Sequence, residues 1–440
     1  DLLRWGEDAN SHWAQRYAQE SGSEVYDWLT NLGVEFVMLI PTPESSVPRF
    51  HFTSGRSVNV VVPLMRKALL DPNIRFVWNT RATALLRVDD QITGIVSRDE
   101  RTGGQNWYRG DSIVLSTGGF ASNLKKVREN WPENQTAPKK LLVGSGQYAT
   151  GDGYRLADWA GANMRHLDRQ VIFYNGLPDP RDPTNTRALH AQNFQAIWVN
   201  KQGRRFVNES GDSKAVETAV SEQTPVSYWV IYDANGTRGW QVRDALWLEK
   251  SMLNDVVVNN PDVTVSANSI AELAALTGVE HHGLTTTIET WNRMVNVGTD
   301  FQFERFPSKN RGGKGQAITT APFYATRLYP YTRKSMGGPA INTYGQVINK
   351  ESLPIAGLFA AGELTGVAGI NGKHGGSGTF LGPSVLTGRI AGRSAADASM
   401  LSGLLKPLNV SDETELSPAP TNNSGMWHYE QAHARVAELG

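Results

Sequence analysis

The sequence predicts an α/β fold, and three segments indicate it. Residues 113–117 (IVLST) form a short apolar run that stops at two glycines, as expected for a buried strand in a sheet covered on both faces. Residues 353–400 contain, in order, a predicted strand and turn, a glycine-rich loop and a helix. A β-rich stretch begins with IRFVWNT (74–80), and the alternation of apolar and polar side chains within residues 82–99 predicts a small antiparallel meander.

Three helices are predicted from apolar residues at helical spacing. Residues 11–32 and 58–70 show this spacing, and Pro63 is expected in the first turn of the second helix or at a kink. Another helix is expected to begin at Pro383. Residues 171–326 are mixed and irregular, so this part of the chain predicts no clear architecture by itself.

The last forty residues begin as a linker and finish in a stretch that predicts a short amphipathic helix. This stretch contains His428 and His433. Their five-residue spacing is poor for one face of a helix, so a surface or docking helix is favoured and no metal site is predicted.

The composition excludes several classes of protein. The 440 residues include 43 basic and 43 acidic ones, so no net charge favours nucleic acid or an anionic membrane. Cysteine is absent, which excludes disulfides, thiolate nucleophiles and cysteine-bound iron–sulfur clusters. No apolar run is long enough to predict a transmembrane segment. The 43 glycines and 13 tryptophans are typical of an enzyme with close backbone–ligand contacts and an aromatic interior.

One glycine-rich segment has the outline of a phosphate-binding loop. The pattern Gly144-x-Gly146-x-x-Ala149 follows an apolar triplet and precedes a helical stretch. Asp152, however, would cap that helix, where its carboxylate competes with a pyrophosphate for the same amides and the same dipole. A carboxylate in this position suits a hydroxyl group of a ribose or ribityl chain. We therefore expect the segment to imitate the dinucleotide-binding fingerprint without being one.

Five motifs occur in a fixed order along the chain and carry a family resemblance. They are IVLSTGGFASN (113–123), TGDGYRLADWAGA (150–162), WVNKQGRRFVNE (198–209), SMGGPAINTYGQVI (335–348) and GLFAAGELTG (357–366). Together with Arg49-x-His51-x-Thr53-x-Gly55, they resemble the flavoprotein family of soluble fumarate reductases, succinate dehydrogenase flavin subunits and 3-ketosteroid dehydrogenases. The resemblance extends over about residues 20–400.

This resemblance implies FAD in an extended conformation and a second domain that closes over the flavin. The implied fold is a Rossmann-like FAD-binding domain formed by residues 1–170 and 327–400, with an inserted α+β capping domain at residues 171–326. Residues 401–440 are then the linker and the C-terminal helix.

The resemblance also implies which residues contact the cofactor. Glycines at the end of a buried strand allow close approach of the backbone, and a helix N-terminus stabilises negative charge at the pyrimidine edge of the flavin. The implied set is Arg81, Ala82, Thr117, Gly118, Gly119, Asp152, Gly362, Glu363, Gly378, Thr379, Phe380 and Leu381.

Part of the family's cofactor site has no counterpart in the sequence. In the family, a pyrophosphate loop, its acidic ribose partner and a Gly-Gly loop would precede Asp1. The FAD-binding domain is therefore expected to lack its N-terminal portion. Either that portion is missing from this sequence or lies on a second polypeptide, which we favour, or the protein has lost FAD.

The residues that match the substrate clamp of fumarate reductases are changed. ALHAQ (188–192) stands where the family has a glutamate and an arginine that relay protons, and Arg333-Lys334 stands in place of two histidines. Fumarate is therefore not the expected substrate. The loop GTFLGPSVLTGRIAG looks closer to that of ketosteroid dehydrogenases.

Three residues are candidates for the catalytic roles. Arg238 lies close to the position of the family's proton-donating arginine, although an ordinary surface arginine is equally compatible with the sequence. Lys373 lies near the position of an arginine of the clamp. Tyr331, with Tyr329, would polarise a ketone, although two tyrosines of this kind are more often core residues.

The sequence thus predicts an FAD-dependent oxidoreductase that transfers a hydride between flavin N5 and a C–C bond activated by a carbonyl or carboxylate. The alternative is a non-catalytic or partner-binding subunit that retains the scaffold and needs another chain for complete FAD binding. A small-molecule substrate and an external electron carrier are the expected partners, because a chain without cysteine holds no cluster of its own. The compartment stays open between cytoplasm and periplasm.

Overall fold

The computed structural model describes residues 1–42, 45–55, 57–243, 247–306, 315–374, 380–403 and 415–416. In chain order, its strands are β1 (Phe36–Ile40), β2 (Phe50–Thr53), β3 (Thr80–Val88), β4 (Gln91–Asp99), β5 (Gln105–Arg109), β6 (Ile113–Leu115), β7 (Leu142–Val143), β8 (Met164–Arg165), β9 (Gln170–Pro178), β10 (Ala188–Asn193), β11 (Ile197–Val199), β12 (Tyr228–Asp233), β13 (Trp240–Arg243), β14 (Thr264–Ala267), β15 (Phe323–Ser335), β16 (Gly338–Pro339), β17 (Gln346–Ile348), β18 (Pro354–Ala360) and β19 (Glu415–Leu416).

The α-helices are α1 (Leu2–Gly6), α2 (Ser11–Ser21), α3 (Trp28–Asn31), α4 (Val58–Leu70), α5 (Leu124–Glu129), α6 (Asp152–Trp159), α7 (Ser213–Ser221), α8 (Ile270–Thr277), α9 (His281–Val297) and α10 (Leu381–Gly403). A π-helical turn, Gly22–Asp27, joins α2 to α3. None of the helices in the described ranges is long and apolar enough to cross a bilayer.

The first sheet contains the predicted meander. Its seven described strands follow the order β17-β18-β4-β3-β19, with β5 hydrogen-bonded to β4 and β6 to β18. Strands β3, β4 and β5 pair antiparallel, which confirms the meander predicted within residues 82–99. Strands β6 and β18 pair in parallel, with Leu358 opposite Ile113. The segments that follow these two strands therefore emerge at the same edge of the sheet.

The strand predicted at residues 74–80 is wrong. Residues 74–79 are irregular, and β3 begins at Thr80. The left-handed backbone of Asn79, at φ 52°, interrupts the extended conformation immediately before β3. The rings of Phe76 and Trp78 stack on each other, with centroids 5.0 Å apart.

Residues 113–117 were predicted to form a buried strand in a sheet that is covered on both faces. For the described part of the chain, this prediction of burial is also wrong. The strand ends at Leu115, Val114 is 38% exposed, and Thr117 is exposed. Within the described ranges β6 pairs with β18 along one side, and no strand pairs with its other side. An apolar run thus indicated a strand correctly, but it did not indicate an edge position.

The second sheet contains the middle of the chain. Its eight described strands follow the order β11-β12-β15-β9-β10-β13, with β14 and β7 hydrogen-bonded to β15. The 13-residue strand β15 is central, since it pairs antiparallel with both β12 and β9. The predicted domain boundary at residue 326 falls inside β15, and the division of the chain into domains stays a prediction.

The predicted helices form where they were expected. Residues 58–70 form α4 with Pro63 in its interior, and residues 11–31 form α2, the π turn and α3. Helix α10 begins two residues before Pro383, so this proline lies in its first turn. Side chains of α2, α4 and α10 share one apolar cluster with Ile370. The predicted helix near the C-terminus lies outside the described residues.

A cluster of four buried charges fixes the turn after β11 to the loop after α9. The side chains of Arg205, Glu209, Asp300 and Arg305 are at most 3% exposed. Arg205 Nη2 donates to Glu209 Oε2 at 2.8 Å and to Asp300 Oδ2 at 2.9 Å. Burial is the largest single effect on the pKa of Asp300 and would raise it, but the hydrogen bonds and charge of Arg205 together with backbone N–H groups lower this pKa below its ordinary value.

We expect Asp300→Asn to lower the free energy of unfolding by about 3–5 kcal/mol, because it leaves a buried arginine with part of its countercharge removed. Urea denaturation at neutral pH measures this. Since the folded-state pKa of Asp300 is depressed, its contribution exists above the unfolded pKa and is lost as the pH falls through the folded one. The difference in unfolding free energy between the variant and wild type should therefore become smaller at acidic pH. The exposed Asp262→Asn is the control, and equal losses in both variants would contradict the assignment.

Candidate functional site

The loop after β6 packs directly against the start of α6. A Cβ atom added at Gly153 would lie 2.1 Å from Thr117 Oγ1, so the two segments meet only because residue 153 has no side chain. The neighbouring Asp152 carboxylate accepts hydrogen bonds from Arg81 Nη1 and from Thr150 Oγ1. The structure thus brings Arg81, Asp152 and Thr117 together from three separate segments.

Asp152 does not cap α6, contrary to the expectation. The N-cap residue is Gly151, whose left-handed backbone (φ 85°) places its Cα close to Phe120: a Cβ there would lie 2.8 Å from Phe120 Cβ. Asp152 is the first helical residue, and its side chain turns towards Arg81. An ionised carboxylate offers about four lone-pair positions. Two hydrogen bonds to Asp152 therefore leave room for a hydroxyl group of a ligand.

On the other side of the same loop, Gly119 lies against Glu363. A Cβ at Gly119 would be 2.2 Å from Glu363 Oε1 and 2.6 Å from Ser335 Oγ. Ser335 ends β15 and donates its backbone N–H to Glu363 Oε1 at 2.9 Å. Its hydroxyl accepts the backbone N–H of Phe120 at 3.0 Å. Burial raises the pKa of Glu363 above its ordinary value, and the smaller effects of the Ser335 N–H and of Lys334 oppose the rise.

The loop between the Asp152 and Glu363 carboxylates contains Gly118 and Gly119, which have no side chain. At Gly118 (φ 72°) no described atom lies within 4 Å of the position that a Cβ would take. A ligand can therefore reach the backbone between Asp152 and Glu363, and carboxylates accept hydrogen bonds from sugar hydroxyls. These residues fit the ribose and ribityl parts of a flavin nucleotide.

Four of the remaining predicted cofactor residues lie in the described part of the chain. Ala82 follows Arg81 in β3. Gly362 donates its N–H to Thr387 Oγ1 of α10 at 3.0 Å. Phe380 is buried, and the exposed Leu381 begins α10. Gly378 and Thr379 lie outside the described residues.

The segment Gly144–Ala149 has a packing role. A Cβ at Gly144 would lie 2.1 Å from the ring of Tyr331, and the Gly144 N–H donates to Thr332 O at 3.0 Å. This segment therefore borders β15 of the second sheet. That it only imitates a phosphate-binding loop stays a prediction.

Residues from several segments line a cavity of about 550 Å³. Gln170 lines the cavity and stands opposite Ser335 in the β9–β15 register, and Ser335 holds Glu363. The volume is within the range of pockets for drug-sized ligands. The aromatic and charged residues that line it are Trp5, Trp131, Tyr174, Arg169, Lys214, Lys373, His374, Glu7, Asp168 and Glu217.

Of the candidate catalytic residues, Lys373 lines the cavity, whereas Arg238 and Tyr331 are not among its described lining residues. Arg238 is exposed in the 3₁₀ turn Ala234–Gly239. Tyr331 is fully buried, and its hydroxyl lies 2.8 Å from His190 Nδ1. The structure therefore does not bring these three side chains together.

Sequence reasoning missed most of the cations in the cavity. Lys214 lies in the first turn of α7, which Asp212 caps by accepting the N–H of Ala215. This capping pattern is visible in the sequence and predicts the helix. No sequence pattern, however, connects Lys214 with Arg169 or His374, because the three residues come from distant segments.

A family model described as FAD binding domain matches residues 1–381, and the chain belongs to this family. The resemblance inferred from the five motifs is thereby confirmed, and so is FAD as the cofactor. Among curated proteins, a fumarate reductase (cytochrome) of Shewanella frigidimarina is 28% identical over 402 residues, covering 91% of this chain and 66% of that protein. A urocanate reductase of Eggerthella lenta is 28% identical over 363 residues, covering 80% and 55%.

Solved structures show the same relationship. The open conformation of a flavocytochrome c3 fumarate reductase matches with a TM-score of 0.69 and 27% identity, covering 91% of this chain and 66% of that one. A 3-ketosteroid-delta4-(5alpha)-dehydrogenase of Rhodococcus jostii shares the fold, with a TM-score of 0.64 and 22% identity over 90% of this chain and 82% of that one.

The chain spans just under two thirds of the length of the fumarate reductase that it matches. The relatives named above are oxidoreductases, so the comparisons do not favour the alternative of a non-catalytic subunit.

We expect Glu363→Gln to stabilise the cofactor-free chain at neutral pH, because it removes a buried carboxylate while keeping an acceptor for Ser335 N–H. The folded-state pKa of Glu363 is raised, so its cost to stability is absent below the unfolded pKa and grows as the pH rises through the folded one. Urea denaturation at acidic and neutral pH should show a higher free energy of unfolding for the variant than for wild type, and this difference should increase with pH. The exposed Glu351→Gln should show none. A pH-independent gain would contradict the prediction.

Proposed function

We propose that this chain is part of an FAD-dependent oxidoreductase that exchanges a hydride between flavin N5 and a C–C bond activated by a neighbouring carbonyl or carboxylate. One observation carries the proposal: Ser335 binds the Glu363 carboxylate and pairs with Gln170, which lies in the wall of a cavity that also contains cations. A cofactor held between Arg81 and Glu363 and a substrate held in the cavity are then neighbours. That proximity is the first requirement for hydride transfer.

The chain's own residues suit the holding of an extended flavin nucleotide. Asp152 and Glu363 would accept hydrogen bonds from its hydroxyl groups, and the bare backbone at Gly118 would lie along it. The start of α10, next to Phe380 and Leu381, offers backbone N–H groups for negative charge. When bound, FAD supplies the N5 atom that gives or receives the hydride.

The cavity supplies the chemistry on the substrate side. Lys373 and Lys214 present positive charge to a carbonyl or carboxylate oxygen, which would withdraw electrons from the adjacent C–C bond. His374 can donate a hydrogen bond to the same oxygen. We assign Lys373 the handling of the proton, since it is the candidate acid that lines the cavity. Trp131 and Tyr174 form part of the aromatic wall and exclude water from the reacting carbons. Burial, followed by the charge of Lys214, lowers the pKa of His374 below its ordinary value.

We further propose that additional polypeptide completes the FAD-binding domain, as a continuation of this chain or as a separate subunit. The edge of β6 supports this, because no strand of the described residues pairs with one of its sides and Val114 is exposed there. An unpaired strand edge can pair with another strand. Helix α4 supports it as well, since Val61, Leu69 and Leu70 are at least half exposed on an apolar helix. Electrons would arrive from, or leave to, an external carrier.

We expect Lys373→Met to lower kcat/KM by about tenfold or more in the FAD-loaded protein, which corresponds to the loss of one charge-assisted hydrogen bond. The assay follows reduction of unsaturated acids and ketones with a chemically reduced dye as electron donor. Arg238→Met and Tyr331→Phe should stay within about twofold of wild type, since neither side chain lines the cavity.

An equal loss for Arg238→Met would move the proton-donating role back to that residue. A protein that binds FAD yet neither reduces nor dehydrogenates any activated C–C bond would overturn the proposed function.

A further inference from the structure

Two consecutive acidic residues contact two cations and one histidine that line the cavity. Glu7 Oε1 lies 2.8 Å from Lys214 Nζ, and Glu7 Oε2 lies 3.4 Å from His374 Nε2. Asp8 Oδ2 accepts a hydrogen bond of 2.5 Å from Arg169 Nη2. The chain therefore places its own carboxylates where an anionic ligand of the cavity would bind.

These carboxylates belong to a short segment, residues 6–10, that we call the acidic strap. Its backbone is hydrogen-bonded to the loop that contains Lys373 and His374. Lys373 N–H donates to Gly6 O at 2.7 Å, and Asn10 N–H donates to Gly369 O at 2.9 Å. Glu7 and Asp8 both have a positive φ, at 49° and 57°. Such a backbone is unfavourable for these residue types, so the strap is held in place by its surroundings.

The two sides of these ion pairs differ in exposure. The side chains of Glu7 and Asp8 are 51% and 65% exposed, whereas those of Lys214 and Arg169 are 24% and 14% exposed. Ion pairs with one well-hydrated partner contribute little net stability. A carboxylate of the strap can thus return to water at low cost in free energy. The less exposed Lys214 and Arg169 would then still be stabilised by another anion.

We propose that Lys214, His374 and Arg169 form an anion subsite of the cavity and that the acidic strap is its internal competitor. A ligand that carries a carboxylate enters by taking over the contacts of Glu7 and Asp8. Trp5 also lines the cavity, and its ring centroid lies 4.5 Å from Lys214 Nζ. The subsite should therefore prefer a carboxylate that is attached to an apolar group. This inference rests on the proposed function only in identifying the ligand with the substrate.

The test uses cinnamate as the carboxylate probe and cinnamamide as its uncharged analogue. Binding to the 440-residue chain is measured by isothermal titration calorimetry without added FAD. We expect the double variant Glu7→Gln/Asp8→Asn to bind cinnamate about three- to tenfold more tightly than wild type, because the internal competitor has lost its charge. Cinnamamide should bind both proteins equally. Lys214→Met should weaken cinnamate binding by a similar factor.

The matched control is Glu24→Gln, which removes one acidic side chain from a pair of arginines elsewhere on the surface. Its cinnamate affinity should equal that of wild type. The proposal is overturned if the double variant binds cinnamate no more tightly than wild type, or if Glu24→Gln increases cinnamate affinity as much as the double variant does. It is also overturned if the double variant increases the affinity for cinnamamide equally. Absence of cinnamate binding in all variants overturns it too. Because no step of this test needs FAD or turnover, a protein that passes it and shows no oxidoreductase activity would contradict the proposed function alone.

Discussion

Ser335 makes the contact on which the rest of the site depends. Its backbone N–H holds the Glu363 carboxylate, and its hydroxyl holds the N–H of Phe120, so one residue joins β15, the loop after β6 and the turn after β18. Gly119 lies within this junction because any side chain there would overlap with Glu363. The second sheet, through β15, thereby fixes the position of the bare backbone next to the first sheet.

This junction also explains how the cavity and Glu363 are connected. Strand β15 ends at Ser335, and its partner β9 begins at Gln170 on the cavity wall. A ligand in the cavity and a nucleotide at Glu363 would therefore be connected through Gln170 and Ser335. The buried charges of Arg205, Glu209 and Asp300 lie elsewhere in the chain, where they hold the turn after β11 to the loop after α9.

Much of the first sheet could be predicted from the sequence, whereas the cofactor contacts of the glycines and carboxylates near it stay a prediction. Glycines and a carboxylate at the ends of strands have strict steric and chemical requirements, and these leave a local pattern, as at Gly119 and Glu363. The ion pair between Asp152 and Arg81 was not predicted, and the capping role of Asp152 was wrong because Gly151 takes that position. Residues 74–79 were misread because β-forming side chains do not reveal the left-handed turn at Asn79.

The cations of the cavity could not be predicted in the same way. Lys214, Arg169 and His374 come from distant segments. The local sequence around each of them does not distinguish it from an ordinary surface residue. Their meeting depends on how β9, α7 and the loop before α10 pack, which no local pattern encodes. The pairing of Glu7 with two of them is likewise a property of the folded chain.

The most direct test of the account is amide hydrogen exchange of the chain with and without excess FAD. If the separated segments line one nucleotide site, exchange should slow together at residues 117–120, 151–154, 335–338 and 361–365, because ligand contact suppresses local opening at each of them. Protection at only one of these segments, or at none of them, would contradict the claim that they form a single site.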